Sequence, residues 1–156
     1  MKARRKARTV ALQALYEIDC TQHPPDLVVE QRLGEQPLDD ELAEFARRLV
    51  VGVIAETPTL DKLIQKYAPE WPLGQMALID RNILRMAIWE FAAERQTPIK
   101  VAINEAVELA KLYGSDSAPR FVNGVLGALA ARHSEILQAF GHNGSAEIAG
   151  NEKPAG

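Results

Sequence analysis

The sequence has little that would support covalent cross-linking, secretion or membrane insertion. Cys20 is the only cysteine among 156 residues, which excludes a disulfide framework and a cysteine-based zinc site and favours a reducing compartment. The apolar stretch after the basic start is too short and too polar for a signal peptide, because Gln13, Glu17 and Asp19 interrupt it. No apolar run approaches the length of a membrane span. We therefore expect a cytoplasmic protein.

Motifs for catalysis and for metal or nucleotide binding are also missing. The three histidines match no metal-ligand spacing, and the chain has no phosphate-binding loop, glycine-rich nucleotide turn or nucleophile elbow. Ser115 and Ser117 are better explained as helix caps than as nucleophiles. Glu105 and Glu108 are interpreted as solvated acids on a helix face. We predict a protein that is not an enzyme and holds no cofactor or metal.

What the sequence does have is an asymmetric distribution of charge. Five of the 18 Lys and Arg residues lie within residues 1–8, the basic arm, whereas all 21 Asp and Glu residues follow it. Cations at a helix start oppose the macrodipole, and Arg4 and Arg8 repel each other at i,i+4 spacing. A basic arm on an acidic body indicates a polyanionic partner met at one end. A solvated, frayed terminus is the alternative on charge alone.

The spacing of apolar residues is helical nearly throughout, and no segment has a convincing strand pattern, which predicts an all-α fold. Thr57-Pro58 and Thr97-Pro98 each resemble an N-cap followed by the first helical residue, and Asp39 is a further candidate cap. Gly124 and Gly127 inside a helix suggest a close approach by a neighbouring element. We predict about seven helices, at roughly 3–20, 26–33, 39–56, 57–67, 75–95, 97–113 and 115–140.

The segment APEWPLG at 68–74 contains two prolines and a glycine and is the best internal boundary. We expect one domain over residues 1–140, made of an N-terminal helical half at 1–68 and a C-terminal helical half at 72–140. From Gly141 the composition shifts to small and polar residues, which predicts a disordered tail at 141–156.

Several motifs resemble those of the NusB family of bacterial transcription antitermination factors. The match covers about residues 1–135, whereas 22–73 agree only in helical pattern. Trp89 stands where the family usually has tyrosine, and Pro119 occupies a position that is not usually proline. The motifs, in the order and spacing of the family, are ARRKAR, ALQALYEID, DRNILRMAIWE, PIKVAINEAVELAKLYG and RFVNGVLGAL.

This resemblance implies two small packed helical bundles and a non-enzymatic role in the bacterial cytoplasm. Members of the family bind the boxA segment of nascent ribosomal RNA leader transcripts together with NusE, a small-subunit ribosomal protein. That complex joins other Nus factors on RNA polymerase and suppresses premature termination. The partners implied here are therefore single-stranded boxA RNA, NusE and, through the complex, the polymerase.

The resemblance also implies which residues make these contacts. If all five cations of the arm engage phosphates, the logarithm of RNA affinity should fall with the logarithm of salt with a slope of about −3.5. Phe121 and Tyr16 are the nearest candidates for base stacking, although core packing explains each of them better on sequence alone. The implied RNA-binding residues are Lys2, Arg4, Arg5, Lys6, Arg8, Ser117, Arg120 and Phe121. The implied partner-binding residues are Tyr16, Asp80, Arg81 and Arg85.

Three other functions remain open at this point. A NusB-like domain forms the front of some ribosomal RNA methyltransferases, so the chain could be a detached RNA-binding domain of that kind. A DNA-binding regulator would suit the helices and the arm, but the acidic body and the lack of a basic recognition helix argue against it. A helical adaptor that binds no RNA would not need the arm at all.

Overall fold

The computed structural model describes residues 2–140, and it is all-α as predicted. A 3₁₀ turn at Leu73–Gln75 precedes α4, and a π-helical segment at Trp89–Glu94 extends it. The predicted disordered tail at 141–156 lies outside the described residues. The helices are α1 (Lys2–Thr21), α2 (Pro25–Glu35), α3 (Asp40–Tyr67), α4 (Leu78–Ile88), α5 (Ile99–Tyr113), α6 (Ala118–Ala130) and α7 (His133–Ala139).

Helices α1 and α3 both join the first part of the chain to the second. Helix α1 packs against α2, α3 and α4, while α4 also contacts α3, α5 and α6. Its buried stripe follows helical spacing, so that one face of α1 is apolar along its length. The buried apolar residues of α1 are Ala7, Val10, Ala11, Leu12, Ala14, Leu15 and Ile18.

Helix α3 is longer than predicted, because the chain does not break at Thr57-Pro58. The Asp39 side chain caps its first turn as expected, accepting a hydrogen bond from the amide of Leu42 at 3.0 Å. Thr57 does not act as a cap, since its hydroxyl donates to the carbonyl of Val53 at 2.7 Å. A proline inside a helix costs about 3 kcal/mol. Burial of apolar residues beyond Pro58, such as Leu60 and Ile64, outweighs that cost.

The predicted helix starts at Thr97 and Ser117 also need correction. Thr97 is buried and donates its hydroxyl to Glu90 at 2.9 Å, so it does not cap α5, which begins at Ile99 after Pro98. Ser117 stands at the N-cap position of α6, but its side chain makes no capping hydrogen bond. The predicted last helix is divided into α6 and α7 by a turn before His133.

Glycine is required for packing at Gly52 and not at the two positions suggested by the sequence. A Cβ atom on Gly124 or Gly127 would meet nothing within 4 Å, so no element approaches them closely. A Cβ atom on Gly52 would lie 2.2 Å from Cε2 of Trp89. The indole of Trp89 therefore packs directly on the backbone of α3.

We expect Gly52→Ala and Gly124→Ala to change stability in opposite directions. The first should lower the free energy of unfolding by about 1–3 kcal/mol, because the methyl group overpacks the site of Trp89. The second should raise it by about 1 kcal/mol through helix propensity. Urea unfolding followed by circular dichroism measures both. Equal effects of the two substitutions would contradict the assigned packing of Trp89.

Candidate functional site

The basic arm forms the first two turns of α1, and helical rotation gives each of its cations a different environment. Lys6 is exposed, Arg4 and Arg5 are partly buried, and Arg8 is only 1% exposed. Arg8 lies one and two turns before Ala11 and Leu15, which places it on the apolar stripe of α1. The spacing of Arg8 from Ala11 and Leu15 already indicated in the sequence that Arg8 would be buried. The prediction nevertheless treated all five cations of the arm as equally accessible to RNA.

Arg8 forms a buried ion pair that connects the start of α1 to the π-helical segment that extends α4. Its Nε and Nη2 atoms donate to the two carboxylate oxygens of Glu90 at 2.8 and 2.7 Å. Both side chains are only 2% exposed, and Thr97 donates a further hydrogen bond to Glu90. The interpretation of Arg8 as an RNA contact is therefore wrong for this structure, because RNA cannot reach its guanidinium.

Arg5 forms a second bidentate pair, with Glu105 on α5. Nε and Nη2 of Arg5 each lie 3.0 Å from an oxygen of Glu105. The hydrogen bonds from Arg5 hold the pKa of Glu105 below its ordinary value, and the same contact raises the pKa of Arg5. Glu105 is 6% exposed and is not the solvated acid that its helix position suggested. Glu108, by contrast, is partly exposed and pairs with Lys111 at 3.0 Å.

Arg4 lies on an aromatic ring rather than beside an acid. Its guanidinium carbon is 4.3 Å from the centroid of Phe45, and those of Arg8 and Arg48 are 5.3 and 5.6 Å from the same centroid. The negative face of a buried ring attracts cations. Neither Arg4 nor Lys6 forms a salt bridge with any residue in the described part of the chain. Phosphate could therefore bind both without displacing an acid.

A second surface lies around the start of α6, where the structure brings together four of the predicted contact residues. Asp80, Ser117, Arg120 and Phe121 line an open cavity of about 440 Å³, and Trp71 completes its wall. The rings of Trp71 and Phe121 meet edge to face, with centroids 5.7 Å apart. Sequence reasoning missed Trp71, although a tryptophan between two prolines in a loop was a signal that it would be exposed.

The cavity contains one carboxylate with an unsatisfied oxygen. Asp80 is 8% exposed, and its Oδ1 accepts no hydrogen bond from residues 2–140. Burial raises the pKa of Asp80 above its ordinary value of 3.8. Because Oδ1 is itself buried, it is an unpaired acceptor behind the cavity wall, and its desolvation is a cost to the fold.

The polar face of DRNILR is largely internal, which corrects the prediction that it faces a partner. Arg85 is 5% exposed and donates to both oxygens of Asp61 at 2.7 and 2.9 Å, and to Asp19 at 3.3 Å. Arg81 is partly buried and donates to the carbonyl of Met76 at 3.3 Å. Of the four predicted partner residues, only Tyr16 is largely open to solvent, with 42% of its surface exposed.

Neither a cluster of metal-binding side chains nor a membrane-spanning helix is found in the described part of the chain. Residues 2–140 contain no group of three or more His, Cys, Asp and Glu side chains placed to hold a metal ion. Within that range no helix is both long enough and apolar enough to cross a bilayer. The fold and the site together define an all-α protein of two packed bundles, with a partly neutralised basic arm and a separate aromatic cavity.

Comparison with known proteins places this architecture in a family. The sequence profile of the NusB family matches residues 5–131. The transcription antitermination protein NusB of Roseiflexus castenholzii is 51% identical over 134 residues, which cover 85% of this chain and 94% of that protein. The chain belongs to the NusB family.

Solved structures agree with this assignment. NusB of T. maritima superposes with a TM-score of 0.78 at 34% identity, covering 86% of this chain and 96% of that one. A NusB chain from a crystal structure of antitermination factors NusB and NusE with double-stranded RNA superposes with a TM-score of 0.76 at 26% identity, covering 89% and 98%.

We expect Arg8→Met to destabilise the fold by about 3–5 kcal/mol, because it leaves the buried charge of Glu90 uncompensated. Lys6→Met on the exposed side of the same helix should change stability by less than about 0.5 kcal/mol. Adding Glu90→Gln to Arg8→Met should restore part of the loss. Thermal unfolding of the three variants tests this, and equal effects of the two single substitutions would contradict a structural role for Arg8.

We expect Asp80→Asn to stabilise the protein at pH 7 by about 1 kcal/mol, since it removes a buried charge without a full set of partners. The dipole of α4 favours the charge and offsets part of its cost. Because the folded state raises the pKa of Asp80, stability falls as pH rises through that pKa. The advantage of Asn should therefore shrink as pH falls through the raised pKa of Asp80, and it should be lost below the ordinary value of 3.8. A gain that did not depend on pH would contradict this account.

Proposed function

We propose that this chain is a bacterial, cytoplasmic transcription antitermination factor without catalytic activity. It binds the boxA segment of nascent ribosomal RNA leader transcripts together with NusE, and the complex acts with other Nus factors on RNA polymerase to read through termination signals. Family membership and the NusB–NusE–RNA assembly formed by a structural relative support this function. The single observation in this chain that carries it is a basic arm in which Arg4 and Lys6 have no acid partner among the described residues.

Two surfaces divide the work of binding. Phosphate contacts position an RNA without choosing its sequence, and base choice requires stacking and hydrogen bonds to base edges. Arg4 and Lys6 provide the phosphate contacts, and Lys2 belongs with them by its place in the sequence. The cavity provides the base contacts, with Trp71 and Phe121 as stacking rings.

The two surfaces lie at opposite ends of the α1–α4 pair. Arg8 of α1 meets Glu90 in the π-helical segment that extends α4, whereas Asp19 of α1 accepts a hydrogen bond from Asn82 near the start of α4 at 2.8 Å. About 16 Å of helix separates Arg8 from Asp19 at 1.5 Å per residue. A single RNA strand that contacts the arm with its phosphates and the cavity with its bases would have to span at least this distance.

The two surfaces should respond differently to substitution. Arg4→Ala combined with Lys6→Ala should weaken binding to boxA and scrambled RNA by the same factor, because both RNAs carry the same phosphates. Arg120→Ala or Trp71→Ala should instead reduce the preference for boxA over the scrambled strand. Fluorescence anisotropy with and without NusE measures both quantities. If all variants lose only general affinity, the division of roles is wrong.

Salt dependence provides a second readout of the same experiment. Burial of Arg8 leaves at most four cations of the arm for phosphate contacts, which predicts a slope of about −2.8 for single-stranded RNA instead of about −3.5. If the affinity of the protein for boxA RNA did not depend on salt, the arm would have no part in binding.

A further inference from the structure

We propose that Glu105 competes with RNA phosphate for the guanidinium of Arg5 and so sets the affinity of the basic arm. This inference rests on the proposed RNA-binding function, and it concerns a residue outside both proposed contact surfaces. Glu105 would act without touching the RNA, by holding one cation of the arm in the free protein and releasing it in the complex.

Arg5 binds Glu105 with the same two-pronged geometry that arginine uses to bind phosphate. The guanidinium of Arg5 presents two parallel N–H groups to two oxygens of Glu105, at 3.0 Å each. Phosphate accepts the same fork. The Arg5 side chain is 31% exposed and Glu105 only 7%, so RNA can approach Arg5 from solvent while the carboxylate stays in place behind it.

Release of Arg5 would not leave Glu105 without a partner. Nη1 of Arg8 lies 3.6 Å from Oε1 of Glu105, and it makes no hydrogen bond within residues 2–140. A shift of about 0.5 Å would bring the two atoms into hydrogen-bonding distance. A buried carboxylate that lost its only cation would be strongly destabilised. The unused donor of Arg8 provides Glu105 with a second partner and makes the exchange possible.

The neighbouring ion pair of Arg8 and Glu90, by contrast, cannot exchange its carboxylate for phosphate. The bonds between Arg8 and Glu90 are shorter, at 2.7 and 2.8 Å, and both side chains are 2% exposed. The arm therefore contains one fixed arginine, Arg8, and one exchangeable arginine, Arg5. Arg4 and Lys6 are already available. The contribution of Arg5 to RNA affinity is therefore scaled by the fraction of molecules in which Arg5 is free of Glu105.

The test compares Glu105→Gln with Glu108→Gln on the same face of α5. Both substitutions remove one negative charge, but Glu108 is partly exposed, forms its ion pair with Lys111 and acts on Arg5 only as a weaker charge without a hydrogen bond. We expect Glu105→Gln to tighten binding to boxA RNA by about three- to tenfold at 0.1 M salt. Glu108→Gln should change it less than about twofold, because its charge is screened.

The gain must also depend on Arg5. In an Arg5→Ala background, Glu105→Gln should leave RNA affinity unchanged, because no guanidinium remains to be released. A gain that persists without Arg5 would show a general charge effect and overturn the inference. Equal effects of Glu105→Gln and Glu108→Gln would also overturn the inference.

A spectroscopic measurement covers the case in which Glu105→Gln does not fold. In the wild-type protein, the Nε–H resonance of Arg5 should shift on addition of boxA RNA, whereas that of Arg8, whose Nε stays bonded to Glu90, should shift much less. An unshifted Arg5 resonance at saturating RNA would overturn the inference. The proposed function would survive that result if Arg4→Ala and Lys6→Ala still weakened binding, and it would fall if the wild-type protein with NusE did not prefer boxA to scrambled RNA.

Discussion

The buried pair of Arg8 and Glu90 is the interaction on which the site depends. It ties the first turns of α1 to the π-helical segment that extends α4, and Thr97 uses the same carboxylate to hold the segment that leads into α5. A charge on the apolar face of a helix is tolerated only when a partner neutralises it within the core. Because that partner is present, the arm begins as an ordered helix and its remaining cations have defined directions.

The order imposed by this pair explains how a short run of similar residues can have several functions. Arg4 rests on Phe45, Arg5 is held by Glu105, and Lys6 extends into solvent. Like charges at i,i+4 would repel on an isolated helix. In the folded protein the carboxylate of Glu90 neutralises Arg8, which removes most of the repulsion between Arg4 and Arg8.

Much of the architecture could be predicted from local sequence patterns. The predictions that failed are those in which packing with distant residues outweighs the local pattern. Helical spacing found α1, α2 and α5, and the Asp39 cap was correct because it depends on residues within one turn. The predicted break at Thr57-Pro58 was wrong because burial beyond Pro58 outweighs the local cost of proline. Among the site residues, Arg8, Asp80 and Arg85 were expected at the surface and are buried, and the importance of Trp71 was missed.

The sequence by itself determined the all-α class, the family and the concentration of cations at the amino end, because periodicity, motifs and charge are properties of the chain. Only the tertiary structure decided which cations remain available, since Glu90 and Glu105 lie 82 and 100 positions from the arginines that they pair with. Packing of α4 against α1, and of α5 against α4, brings those carboxylates to the arm, and no local pattern encodes that approach.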